Sequence, residues 1–436
     1  MFSRTKSLNP KFLVALALTL VLALVLTACG DNTATPVPAT TAAATTAAGT
    51  TTTAAATTAA ATTAAATTAA GTTTTAAATT AAATTAAATS AAATAAASVT
   101  PPGGYKVTAN VTLSGSGATF PDPAYQQWLK DFVAVNPSVK LTYTGVGSGA
   151  GRKSFFAGEV DFAGSDGYPT DAEITSYGKP ILTIPMTLGA VVLAYNLDGV
   201  TTLKLSPDTI GAIYTGKVTK WNDAKIAAEN AGVTLPDLAI TLAVRQDDSG
   251  TSSVFSNWLA EVSPDFKALN AAGSTPKWEA AGLNPVKAPK NDGVTGLIKQ
   301  TKGTLGYIES SYAQANNIPY ALVKNPAGNY VNASVEAISA AALGGSVPDN
   351  LKLKVTQSAD PKAYPIASTT WIIIPKEIAS KDKADAVLRF LWWATQDSAP
   401  IETAKKLGYA PLPTAVQDKV RSTLLTVTSG GAPVLK

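Results

Sequence analysis

The 436-residue chain contains no histidine and a single cysteine, and these two gaps exclude whole classes of chemistry. Without an imidazole there is no Ser-His-Asp hydrolase, no histidine-ligated metal and no histidine general base. A lone cysteine permits no internal disulfide, no cysteine-rich zinc site and no C-x-x-C redox pair. Charge is scarce too, at 14% of residues, which is low for a globular protein. The 33 basic and 29 acidic residues give a formal net charge of +4. Arg4, Lys6 and Lys11 precede Cys29 with no acidic residue among them, and without those three the balance is 30 basic to 29 acidic. So neutral a remainder leaves no footprint for nucleic acid or a polybasic membrane contact.

Arg4, Lys6 and Lys11 form a positive n-region, and residues 12–26 are apolar apart from Thr19. That run is shorter than the ~20 residues a permanent membrane-spanning helix needs. It ends in Leu26-Thr27-Ala28-Cys29-Gly30, small residues before a cysteine, which resembles the bacterial lipobox. The resemblance implies a lipoprotein signal peptide over residues 1–28, cleaved before Cys29, whose thiol is then lipidated. An ordinary signal peptide with an incidental cysteine is the alternative. Each buried methylene contributes ~0.8 kcal/mol, so two or three acyl chains such as palmitate would hold the protein on the extracytoplasmic face of the cell membrane.

Residues 33–100 are almost entirely alanine and threonine, with Pro36 and Pro38 near the start and Pro101-Pro102-Gly103-Gly104 after the end. Alanine favours helix, but the recurring paired threonines oppose it. No large apolar side chain is available to build a core. Residues 29–104 therefore read as a lipidated cysteine followed by a disordered tether. As a flexible coil of ~70 residues it would span on the order of 45 Å. A long solvated helix is the alternative, and the threonines permit O-glycosylation.

From Tyr105 onward short apolar strands alternate with amphipathic helices, which implies an α/β fold. Residues 107–113 read as a strand followed by a Gly/Ser loop. Tyr125, Trp128, Leu129, Phe132 and Val133 share one helical face. Strands are expected over 139–144, 190–195, 240–244 and 371–374. Helices are expected around Phe155 and Phe156, from Ser206-Pro207 with serine as cap and proline at the first position, over 254–259, and over 384–394. About 330 residues of this kind fit two lobes better than one sheet. The expected division is 105–188 with 367–436 in the first lobe and 189–366 in the second.

One pattern occurs three times: an apolar strand, a loop of Gly, Ser and Thr, then a helix start. The loops are Ser114-Gly115-Ser116-Gly117-Ala118-Thr119-Phe120, Gly145-Val146-Gly147-Ser148-Gly149-Ala150-Gly151 and Asp247-Asp248-Ser249-Gly250-Thr251-Ser252. A helix N-terminus carries unpaired N–H groups and roughly half a positive charge. Three such ends converging would hold a compact anion without many cations. Taken singly, each loop reads equally well as a turn that caps a helix for stability. The second loop is not a phosphate-binding P-loop, because Val146 replaces the first glycine and Arg152 intrudes before the lysine. It fits a dinucleotide pattern only loosely.

The motifs Gly117-Ala118-Thr119-Phe120-Pro121, Gly147-Ser148, Asp161-Phe162-Ala163-Gly164-Ser165-Asp166 and Arg245-Gln246-Asp247-Asp248-Ser249-Gly250-Thr251-Ser252 stand in one order along the chain. Interleaved or following are Tyr214-Thr215-Gly216-Lys217, Lys220-Trp221, Lys290-Asn291-Asp292-Gly293, Gly306-Tyr307-Ile308-Glu309 and Tyr364-Pro365-Ile366. The whole chain from about Tyr105 thereby resembles the phosphate-binding subunit of the phosphate ABC transporter. The resemblance implies a two-lobed periplasmic-binding-protein fold, type II-like, with phosphate in the cleft. It further implies delivery to a membrane permease, no catalytic residues, no cofactor or metal, and a monomer. By motif position, Thr119 and Phe120 would offer a hydroxyl and backbone N–H groups, and Ser148 its hydroxyl and N–H. Arg245 would supply the charge, Ser249, Gly250 and Thr251 the helix-start donors, and Asp166 and Asp247 carboxylates. Gly149 departs from the pattern, since the family commonly has a second serine there, and this lowers the affinity to be expected.

Carboxylates beside an anion need a reason. Two like charges ~4 Å apart repel by about 4 kcal/mol at an effective dielectric near 20. Phosphate near neutral pH keeps a proton that a carboxylate can accept in a charge-assisted bond. Sulfate has none. Apart from the resemblance, Asp166 and Asp247 read as loop caps. A phosphatase or phosphotransferase using the same pocket is the alternative function, and an adhesin displayed on the Ala/Thr segment is a third.

Overall fold

The computed structural model describes residues 99–343 and 345–436. The leader, Cys29 and the Ala/Thr segment up to residue 98 lie outside the described residues. Residues 99–104 lie against a C-terminal helix, where Trp392 Nε1 donates to Val99 O at 2.6 Å and Arg389 Nη1 to Pro102 O at 3.1 Å.

The framework is one eight-stranded sheet. In chain order its strands are β1 (Val111–Gly117), β2 (Val139–Gly145), β3 (Phe162–Ser165), β4 (Ile181–Tyr195), β5 (Thr241–Arg245), β6 (Val286–Ala288), β7 (Thr304–Glu309) and β8 (Ala367–Pro375). Their spatial order is β2-β1-β3-β8-β4-β7-β5-β6. Helices α1 (Asp122–Val135), α2 (Ser148–Phe156), α3 (Gly250–Val262), α4 (Lys290–Gln300) and α5 (Lys381–Gln396) pack on it. The fold is thus the mixed α/β arrangement expected.

Strand β4 divides the sheet. Its residues 181–190 pair antiparallel with β8, whereas Val191 to Tyr195 pair antiparallel with β7. The partner changes between Ala190 and Val191, so the strand runs through both halves of the sheet. The sequence suggests only residues 190–195 as strand, whereas the observed strand begins at Ile181 and includes Pro185. Proline lacks a ladder donor, and here it stands opposite Trp371, where the register shifts between Thr370 and Trp371. A bulge is where a sheet tolerates proline.

Strand β1 also departs from expectation. It starts at Val111 rather than Val107 and runs on through Ser114–Gly117, which the sequence suggests as loop. Val107 N–H is instead taken by the Asn136 side chain at 2.8 Å. Gly115 and Gly117 pair with β3 opposite Phe162 and Gly164. Close parallel pairing on both sides leaves those glycines in strand.

Helix α1 buries Tyr125, Trp128, Leu129 and Phe132 as the periodicity indicates. Phe132 meets Phe390 and Trp393 of α5 edge-on and tilted, with centroids 5.4 and 5.5 Å apart. Ser206 caps a short helix starting at Pro207, as expected.

Candidate functional site

Two sets of parallel strands aim their C-terminal ends at one seam. Strands β1, β2 and β3 run parallel on one side of β4, and β5, β6 and β7 on the other. Ligands of α/β sheets bind outside such ends. Every site residue expected within the described chain lies at or just after one of them.

From the first half, Thr119 and Phe120 follow β1, Ser148 opens α2 after β2, and Asp166 follows β3. From the second, Arg245 ends β5, Asp247 follows it, and Ser249 caps α3. Ser249 Oγ accepts the Ser252 N–H at 3.1 Å, while the N–H groups of Gly250 and Thr251 have no intrahelical acceptor. Thr119, Phe120, Ser148, Asp166, Arg245, Ser249 and Thr251 are all buried. The seam is closed.

Asp247 is fully committed to other groups. Its Oδ1 accepts from Arg245 Nε at 2.8 Å and from Lys290 N at 2.9 Å, and its Oδ2 accepts from Arg245 Nη2 at 2.5 Å. Burial raises its carboxyl, but the Arg245 bonds and charge outweigh that and hold it below the usual range. This fork fixes the guanidinium, whose remaining Nη1 donates to Thr251 Oγ1 at 3.2 Å.

Asp166 differs. Its Oδ1 accepts the Thr370 hydroxyl at 2.9 Å, and its Oδ2 faces Ser148 Oγ at 3.4 Å. Burial pushes its carboxyl up to about 7 against the opposing pull of Thr370 and Arg245. Thr370 comes from β8, about 200 residues downstream, and nothing local in the sequence marks it. Arg152 provides a second buried guanidinium. Its Nε donates to Glu173 at 2.8 Å and its Nη1 to Ser165 Oγ at 3.0 Å.

Three further residues tie the halves together. Asn291, first seen only as part of a motif, bonds both Thr119 and Thr251. Tyr312 OH donates to Thr119 O at 2.6 Å. Tyr409 OH lies 2.7 Å from Phe120 O and 3.1 Å from Glu309 Oε2. The Glu309 carboxylate is buried among Ser310, Ser311 and Tyr409, and burial raises it to about 7 despite their hydrogen bonds.

Glycine makes the approach possible at two positions. A Cβ on Gly250 would lie 2.3 Å from Ser148 Oγ and 2.5 Å from Asp166 Oδ2. One on Gly149 would lie 2.0 Å from the Asp248 carboxyl carbon, and Gly149 N–H donates to Asp248 O at 3.0 Å. The serine expected at 149 would therefore displace Asp248, and the glycine accompanies this close contact. Gly250→Ala is expected to weaken ligand binding about 10- to 100-fold by propping the seam open. Titration calorimetry checks this, and unchanged affinity would show that the contact is not needed in the bound state.

The raised carboxyls of Asp166 and Glu309 also carry a stability consequence. Between the ordinary carboxylate range and about 7, the folded chain holds protons that the unfolded chain has released. Their contribution is therefore fully present below about pH 4 and lost as pH rises through about 7. Ligand-free stability is expected to fall by a few kcal/mol, as an order of magnitude, between pH 5 and pH 8. Glu309→Gln should flatten that slope. Urea denaturation at four pH values checks it, and a rising profile would contradict neutral buried carboxyls.

A family model described as the PBP superfamily domain matches residues 89–398. The chain is 35% identical over 320 residues to the phosphate-binding protein PstS of Xylella fastidiosa strain Temecula1, covering 72% of this chain and 85% of that protein. It is 32% identical over 315 residues to the phosphate-binding protein PstS of Pasteurella multocida strain Pm70, covering 71% and 89%. Among solved structures, a phosphate-binding protein from Stenotrophomonas maltophilia matches with a TM-score of 0.57 and 22% identity, over 72% of this chain and 93% of that one. The periplasmic phosphate-binding protein PfluDING, bound with phosphate, matches with the same TM-score and 23% identity. These structural likenesses establish the fold.

Proposed function

The chain belongs to the PBP superfamily and, within it, to the PstS phosphate-binding proteins, and from that premise we propose that it captures inorganic phosphate outside the cytoplasm and delivers it to the permease of a phosphate ABC transporter. Its relatives are named phosphate-binding proteins, and it acts as a binding protein, not an enzyme. The observation that carries the reading is the convergence of two helix starts, a strand hydroxyl and a clamped guanidinium on one buried carboxylate.

Phosphate oxygens would be met by the N–H of Phe120, the hydroxyl and N–H of Ser148, the Thr119 hydroxyl, and the start of α3 at Ser249, Gly250 and Thr251. Arg245 supplies the positive charge and Asp247 holds it in place. Asp166 takes the discriminating role, because Asp247 already accepts three bonds while Asp166 Oδ2 has only a long contact with Ser148. A phosphate that still carries one proton can donate it to Asp166, so one proton lies between two anionic groups. The lobes would be residues 105–188 with 367–436, and residues 189–366. Their closure would bend β4 where its partner changes.

The cysteine at the end of the apolar leader supports attachment of the mature chain to the membrane through a lipid on Cys29, with the Ala/Thr segment as tether. The protein would act as a monomer without a cofactor. Equilibrium dialysis of the purified protein against radiolabelled phosphate tests the reading. Saturable uptake of one phosphate per chain is expected, and no uptake at micromolar phosphate would overturn it.

A further inference from the structure

Asn291 is fully buried at the start of α4, where the two halves of the sheet meet. Its amide has only one consistent orientation. The Glu309 backbone N–H, 3.1 Å from Oδ1, can only donate, so the atom facing it must be the acceptor oxygen. The NH2 group therefore faces the opposite way. It donates at 3.0 Å to Thr119 Oγ1 and at 3.2 Å to Thr251 Oγ1, one hydroxyl from each half. Thr119 Oγ1 accepts a second bond from the Asn291 N–H at 3.3 Å, and Thr251 Oγ1 a second from Arg245 Nη1 at 3.2 Å. A hydroxyl oxygen has two lone pairs and one hydrogen. With both lone pairs engaged, each threonine is left with a hydrogen that it can only donate.

We propose that Asn291 is a positioning residue that sets the polarity of the site, turning the hydroxyl hydrogens of Thr119 and Thr251 toward the bound oxyanion. The inference rests on the phosphate-binding reading and deepens it. Asn291 belongs to the second half and reaches Thr119 only when the seam is closed, so closure itself fixes the direction of the first-half hydroxyl. The same relay makes both threonines donors, which suits a ligand that presents acceptor oxygens. A ligand that must donate at those points finds no lone pair to receive it.

Titration of the full-length protein with inorganic phosphate tests the relay. Asn291→Ala is expected to weaken binding about 10- to 100-fold. In a Thr119→Val, Thr251→Val background the same change should cost less than about threefold, because the hydroxyls it acts through are gone. Asn291→Asp keeps the shape but accepts from both hydroxyls, turning their hydrogens away. Its affinity relative to wild type should be lowest near pH 8 and recover as pH falls and the new carboxyl takes a proton. Should Asn291→Ala fail to fold, as thermal unfolding without phosphate would reveal, that pH profile decides. Equal losses with and without the threonine hydroxyls, or an Asn291→Asp profile parallel to wild type, would overturn the positioning role. Wild-type protein that takes up no phosphate would overturn the phosphate-binding reading and the relay with it.

Discussion

Asp166→Asn is expected to collapse the preference for phosphate over sulfate by about a thousandfold or more. A buried carboxylate close to a fully ionised anion meets a repulsion of about 4 kcal/mol at ~4 Å, unless a proton lies between the two groups. Phosphate brings that proton and sulfate does not. A site built around a required hydrogen bond rejects the analogue lacking it by ~10⁴ or more. The Thr370 hydroxyl holds Oδ1 of Asp166 at 2.9 Å and leaves Oδ2 with a long contact to Ser148. An asparagine amide removes the charge and offers donors of its own, so sulfate no longer pays the repulsion. Phosphate should still bind, more weakly. Competition calorimetry with the two anions measures the ratio, and a ratio unchanged from wild type would remove Asp166 from the selective role.

Arg245→Ala should cost two to three orders of magnitude in phosphate affinity without restoring sulfate binding. The guanidinium is buried and clamped by Asp247, and removing it takes away the charge on the second half of the site. It also leaves Asp247 uncompensated beside the anion, and truncating one partner of a buried charge pair costs about 2–5 kcal/mol. Arg152 does not substitute, because its guanidinium is anchored away from Asp247 by Nε on Glu173 and Nη1 on Ser165. Phosphate titration of the variant checks the loss. A decrease smaller than tenfold would mean that the helix starts alone carry the binding.

Local features proved legible in the sequence because they follow from short-range chemistry. Ser206-Pro207 and Ser249 stand at helix starts, with serine as the cap in both. The apolar face of α1 lies where its spacing puts it. The second and third Gly-rich loops do lead from strands into helices, whereas most of the first is strand because Gly115 and Gly117 are paired on both sides. What escaped was non-local. Thr370 reaches the site from a strand, Asn291 from a helix start and Tyr409 from the segment after a helix, all far away in sequence, and no spacing rule connects them to it. Asp247 and Asp166 look alike as loop aspartates, and only the Arg245 fork around one and the Thr370 hydroxyl on the other separates their roles. Arg152, a misfit in a P-loop pattern, is a structural guanidinium anchored to Glu173.

Wild-type protein titrated with phosphate and sulfate at pH 8.5 and again at pH 5.5 probes the shared proton most directly. At the higher pH, above the value of about 7 to which burial raises Asp166, phosphate should bind at least about a thousandfold more tightly than sulfate. At the lower pH Asp166 already holds its own proton and can donate to either anion, so sulfate should gain affinity and narrow the gap. Equal binding of the two anions at pH 8.5, or a gap that does not change with pH, would contradict recognition through a proton held between Asp166 and the ligand.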